Sequence, residues 1–153
     1  MAESPGDASR REVRISHLLA APRDLVFRAW TDEAEVARWW VPDEFRVVPG
    51  SVRVEPRVGG AFRMEWESTT GGPGYAVRAE FVELVEPELI VLRHEAIPEA
   101  GILEQTITRV TLGPEGEHTR LEIVDGPYTE EMEPNATAGW RALVAKLERL
   151  VAP

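Results

Sequence analysis

The stretch APRDLVFRAWTDEAEVARWWVP, residues 21–42, carries three of the chain's five tryptophans in two short helical patterns. Pro22 suits a first helical turn, where its missing amide hydrogen would be unpaired anyway, and Asp24 complements the positive end of the helix dipole. Leu25, Val26, Ala29 and Trp30 make an apolar stripe. Asp32 can cap a second helix with Glu35 in the reciprocal capping position, Val36, Trp39 and Trp40 form its buried face, and Pro42 stops it. Two short helices bent at Thr31 and Asp32 would support one end of a sheet and leave the rest of that face to another element.

The flanking sequence supplies the sheet. Val13, Ile15, His17 and Leu19 alternate with Arg14, Ser16 and Leu18 as an opening strand. From Phe45 to Asp125 the pattern is strand and turn, broken at Pro49-Gly50, Gly59-Gly60, Gly71 to Gly74, Glu86-Pro87, Pro98 to Gly101 and Gly113 to Gly116. Phe62, Met64 and Trp66 alternate with Arg63, Glu65 and Glu67; Tyr75, Val77, Ala79 and Phe81 repeat the pattern, followed by Ile90, Leu92 and His94. Residues 102–112 carry two competing faces, Leu103, Gln105 and Ile107 against Thr106, Thr108 and Val110, and their register stays open. Leu121 and Ile123 share a face in the last strand, and a turn at Gly126-Pro127 leads to a helix that Asn135 can cap. Trp140, Leu143, Val144, Leu147, Leu150 and Val151 keep spacings of three and four along it.

The expected class is α+β: a curved antiparallel sheet of six or seven strands around a long C-terminal helix, with two short helices after the first strand. A helix of ~16 residues is ~24 Å long and ~10 Å wide. Strands ~4.8 Å apart make a wider surface, so a hollow is expected where helix and sheet side chains fail to meet. We expect residues 12–153 to form one domain of this kind, with residues 1–11, polar and carrying Pro5 and Gly6, as a disordered tail.

Composition narrows the function. The chain has 153 residues, 17 basic and 27 acidic, for a formal charge of −10, which repels phosphate backbones and anionic lipid, so neither nucleic acid nor membrane is an expected partner. No apolar run approaches the ~20 residues of a membrane span, and no cysteine is present, which fits a soluble protein of the reducing cytoplasm. Signatures of zinc hydrolases, serine hydrolases and phosphate-binding loops are missing. His17, His94 and His118 sit in separate segments without ligand spacing, so neither metal nor cofactor is expected.

The candidate pocket wall is Phe62, Met64, Trp66, Tyr75, Phe81, Leu92 and Trp140, each of which could equally be plain core. His94, helped by His17 or Gln105, is the candidate polar contact. Gly71 to Gly74 reads as a hairpin tip able to gate the pocket, and Gly59-Gly60 as a bend.

Four local features resemble the Hsp90 ATPase activator-like family of the Bet v 1 and START-related superfamily. They are Ala21-Pro22 with Val26-Phe27, Ala29-Trp30 and Trp39-Trp40; Arg57 with Gly59-Gly60; Pro87 with Leu89; and Gly139-Trp140 opening the terminal helix. The resemblance spans about Val13 to Leu150 and implies a helix-grip fold, with a sheet wrapped around the last helix. His17 stands where that family commonly has arginine, Ala20 where aspartate is frequent, and Glu55 where aspartate precedes the glycine turn. Related bacterial domains imply a binder of a small apolar or aromatic molecule, held between sheet and helix. Distant relatives imply the alternative of a cyclase-like or hydrolase-like enzyme using His94. The family name implies a third, a chaperone cofactor or other protein partner, including a homodimer.

Overall fold

The alternation of Val13, Ile15 and Leu19 with charged and polar neighbours buries one face of the first strand, against which the C-terminal helix packs. The chain runs β1 (Arg10–Leu19), α1 (Arg23–Thr31), α2 (Glu33–Trp39), β2 (Phe45–Val47), β3 (Arg53–Val54), β4 (Ala61–Ser68), β5 (Tyr75–Val85), β6 (Leu89–His94), a short 3₁₀ turn (Pro98–Ala100), β7 (Thr106–Glu115), β8 (His118–Thr129) and α3 (Glu133–Val151). This is a computed structural model, and it describes residues 10–153. Of the tail expected over residues 1–11, residues 1–9 lie outside the described residues, whereas Arg10 and Arg11 already pair in β1 opposite Thr129 and Tyr128.

The strands form one antiparallel sheet in the order β1-β8-β7-β6-β5-β4-β2, with β3 also on β4. That is eight strands where six or seven were expected. The difference lies between Phe45 and Val54, where a turn that donates from Ser51 N to Val48 O, with Gly50 at φ 79°, splits the segment into pieces of three and two residues. The Gly59-Gly60 bend is built for glycine: Gly59 has φ 82°, and a Cβ on Gly60 would sit 2.1 Å from the Glu55 carbonyl oxygen.

The helical stretch forms as two short helices, and of the expected caps and stripe a part is kept. Asp32 Oδ2 accepts from the Glu35 amide at 3.1 Å, while the Glu35 side chain turns to Arg28 at 2.8 Å and does not complete the reciprocal cap. The buried arc of α1 is Val26, Phe27, Ala29 and Trp30; Leu25, expected on that stripe, is 41% exposed because the arc is displaced toward Phe27. The Trp39 indole donates to Ala29 O at 2.8 Å and ties the two helices together. Trp30 sits edge-on to Trp39 at 4.8 Å and to Trp40 at 5.2 Å, and Trp40 meets Trp140 at 5.1 Å, so tryptophans fill one end of the trough between sheet and α3.

Two boundaries move. β8 continues through Gly126-Pro127 to Thr129, beyond the turn expected there. α3 then starts at Glu133 with Pro134 in its first turn, and Asn135 lies inside the helix; Thr129 Oγ1 accepts from Met132 N at 3.0 Å just before it. Among the described residues no helix is long and apolar enough to cross a membrane.

Candidate functional site

The register of β7 decides the chemistry of the inner face. Thr106, Thr108, Val110 and Leu112 point inward, and Ile107 points out, because β7 pairs with β8 so that Thr108 lies opposite Asp125. Asp125 follows Leu121 and Ile123 on the buried side of β8 and is 2% exposed. A carboxylate so placed needs donors, and three converge on it. Its Oδ1 accepts from Thr108 Oγ1 at 2.7 Å, and its Oδ2 accepts from the Tyr128 hydroxyl at 2.5 Å and from the Trp140 indole N–H at 2.6 Å. Burial first, and the Asp125 charge second, push the Tyr128 phenol far above its ordinary range, which keeps it protonated and donating.

Above this node lies a cavity of about 190 Å³, the space open to the centre of a water-sized sphere. Its apolar walls include Trp40 at the end of α2, Trp66 and Val77 from the sheet, Ile97 and Ile102 from the β6–β7 connection, and Leu143 from α3. Asp125, Thr106, Thr108, Tyr128 and His94 supply its polar side. A larger groove, about 660 Å³, runs over the outer face between β1, β8 and β7. Its lining is basic, with Arg10, Arg11, Arg14 and Arg109, of which Arg10 and Arg14 are engaged by Glu104 and Glu12.

His94 lies across from Thr106 in the β6–β7 ladder, and its ring stacks on Trp40 at 6.1 Å with 11° between the planes. Among the described residues its ring nitrogens have no hydrogen-bond partner. Burial lowers its pKa below the ordinary 6.5, with the Asp125 charge opposing, so at neutral pH it is an uncharged imidazole with one donor and one acceptor. The unfolded chain therefore binds a proton near its ordinary pKa of 6.5 that the folded chain refuses, and stability is lost as pH falls below that value until folded His94 itself titrates. We expect urea midpoints to begin falling between about pH 7 and pH 5, ahead of carboxylate titration, and the His94→Phe variant to lack that early slope. An identical slope in the variant would assign the effect elsewhere.

Of the residues expected at the site, Trp66, His94 and Trp140 line the cavity together. Phe62, Met64, Phe81 and Leu92 are 0–2% exposed and belong to the packed core beside it, with Phe62 at 5.1 Å from Trp40 and 6.0 Å from Phe81. Tyr75 packs on Phe45 at 5.5 Å, away from the lining. Gln105 is exposed, in the connection just before β7 begins at Thr106. His17 also stands apart: its Nε2 lies 2.9 Å from Glu148 of α3, in a half-exposed pair. Trp40, expected as core, is both core and wall, since its indole is 3% exposed and still bounds the cavity.

Asp125, Thr106, Thr108 and Tyr128 were not singled out from the sequence. The signal was present: Asp125 keeps the parity of Leu121 and Ile123, and a carboxylate at an inward strand position demands donors nearby.

Three comparisons bear on the chain. The sequence profile described as Activator of Hsp90 ATPase homolog 1-like protein matches residues 20–152. Among solved structures, protein CV1439 from Chromobacterium violaceum superposes with a TM-score of 0.83 at 30% identity, covering 93% of this chain and 97% of that one. The AHSA1-like protein from Aeromonas hydrophila gives a TM-score of 0.71 at 22% identity, over 91% and 92%. CalU16 from Micromonospora echinospora gives 0.67 at 20%, over 94% and 78%. The last two likenesses concern the fold alone. A comparison with curated proteins finds no match.

Proposed function

The chain belongs to the Activator of Hsp90 ATPase homolog 1-like family, and from that premise we propose that it binds a small apolar or aromatic molecule in the cavity between its sheet and its last helix. The observation that carries this reading is His94, a polar ring without a hydrogen-bond partner among the described residues, beside the indoles of Trp40, Trp66 and Trp140. The half-buried ring opens its donor and acceptor onto the cavity, where a guest or water meets them. The apolar walls favour a guest over water, because burying hydrocarbon returns about 25 cal/mol per Å².

Gly139 gives a direct test. It lines the cavity from α3, and a Cβ there would find open space within 4 Å. Gly139→Leu should therefore fill the cavity while leaving the fold as stable as before or more so, since leaving glycine in a helix gains about 0.5–1 kcal/mol. Uptake of an environment-sensitive apolar dye should be abolished in this variant, and His94→Phe should weaken displacing ligands about three- to tenfold. Native mass spectrometry of freshly purified protein would look for a retained guest. No adduct, together with equal dye uptake by wild type and Gly139→Leu, would overturn the proposal.

A further inference from the structure

The polar groups of the cavity are unevenly engaged. Trp140 N–H, the Tyr128 hydroxyl and the Thr108 hydroxyl all donate to Asp125, and Trp66 N–H donates to Trp40 O at 3.2 Å. Four of the donors around the cavity are thus already spent. Acceptor capacity remains: a carboxylate has about four acceptor positions, of which Asp125 uses two on Oδ2 and one on Oδ1, and the neutral His94 ring keeps a lone pair.

Charge points the same way. The lining contains two acidic residues, Asp125 at the bottom and the exposed Glu95 at the mouth, and neither lysine nor arginine. The chain as a whole carries −10. A carboxylate or phosphate entering here would face a buried like charge with the His94 N–H to meet it, since the Thr106 hydroxyl already interacts with Tyr128. An ammonium would meet a buried carboxylate, a free imidazole lone pair and the electron-rich faces of indoles, which attract cations within about 6 Å.

We infer that the guest of this cavity is a base, an apolar or aromatic body carrying one protonated amine, and that anionic ligands are excluded. The inference rests on the ligand-binding reading above and names the class of ligand. Phenylbutylamine, phenylbutanol and phenylbutyrate share one hydrocarbon body and differ in the end group, and their binding can be followed by quenching of the lining tryptophans. The amine should bind at least about tenfold tighter than the carboxylate, with the alcohol between them.

Asp125→Asn should collapse that order toward equality. Because Asp125 is buried and the variant can loosen the fold, Glu95→Gln serves as the second variant, on an exposed side chain. It should cut the amine's advantage about two- to threefold with unchanged unfolding. Equal binding of all three probes, or tighter binding of phenylbutyrate, would overturn the inference and leave the cavity reading standing. Failure of all three to bind would overturn both.

Discussion

Replacing Asp125 with leucine lowers the unfolding free energy by about 3–5 kcal/mol, read as a drop in urea midpoint at constant m or as a Tm lower by roughly 10 °C. Leucine approximates the shape of aspartate and removes both acceptor oxygens. The Thr108 hydroxyl, the Tyr128 hydroxyl and the Trp140 N–H are then left without their partner, and Thr108 and Trp140 are 0% and 6% exposed. Each stranded donor costs about 1–3 kcal/mol, reduced where cavity water can reach it. Adding Thr108→Val should recover about 1 kcal/mol, because a stranded donor leaves with its acceptor. A loss below about 1 kcal/mol in the single variant would mean that the donors find other partners and that the node does not hold β7, β8 and α3 together.

The second large effect is expected at Trp30. Its ring is 0% exposed and touches Trp39, Trp40 and Trp140, the last nearly stacked at 6.1 Å and 25°. Trp30→Ala should cost about 3–5 kcal/mol through lost burial and the cavity left behind, a large share of the 5–15 kcal/mol typical of a whole domain. Phenylalanine separates packing from hydrogen bonding. Trp30 Nε1 is buried without a partner among the described residues, whereas Trp39 Nε1 donates to Ala29 O. Trp30→Phe removes an unsatisfied donor along with some volume, and Trp39→Phe strands a carbonyl. We expect Trp30→Phe to be the milder change by about 1 kcal/mol in chemical denaturation. The reverse order would show that Trp30 Nε1 is satisfied in solution.

The two predictions also mark where sequence reasoning succeeds and where it stops. Trp30, Trp39 and Trp40 are legible as a buried face because helical spacing places them on one side of two short helices, whatever they pack against. Strand alternation identifies Phe62, Met64 and Phe81 as inward for the same local reason, and all three are buried. Local pattern does not say how far along the trough the helix touches the sheet. The filled end therefore took Phe62, Met64, Phe81 and Leu92 into the core, Trp66 and His94 were left facing the hollow, and Trp140 stands at the boundary, packed on Trp30 and Trp40 and lining the cavity.

His17 and His94 illustrate the limit more sharply. Both share parity with apolar neighbours in their strands, so the sequence treats them alike. β1 lies at the edge of the sheet, where α3 presents Glu148 to His17, and β6 lies in the middle, under Trp40 and the cavity. Strand order separates the two, and strand order is a long-range property.

By itself the sequence determined the secondary-structure pattern, the inward faces of most strands, the two short helices with the Asp32 cap between them and the need for a long helix to cover the sheet. All of these follow from periodicities of two and 3.6 residues and from the backbone limits of proline and glycine. Only the tertiary structure decided the face of residues 102–112, the gathering of Thr108, Tyr128 and Trp140 on Asp125, and which aromatic rings fill the trough and which bound its hollow. The reason is that a buried carboxylate is stable only where donors from separate elements reach it, and no local pattern records which elements become neighbours.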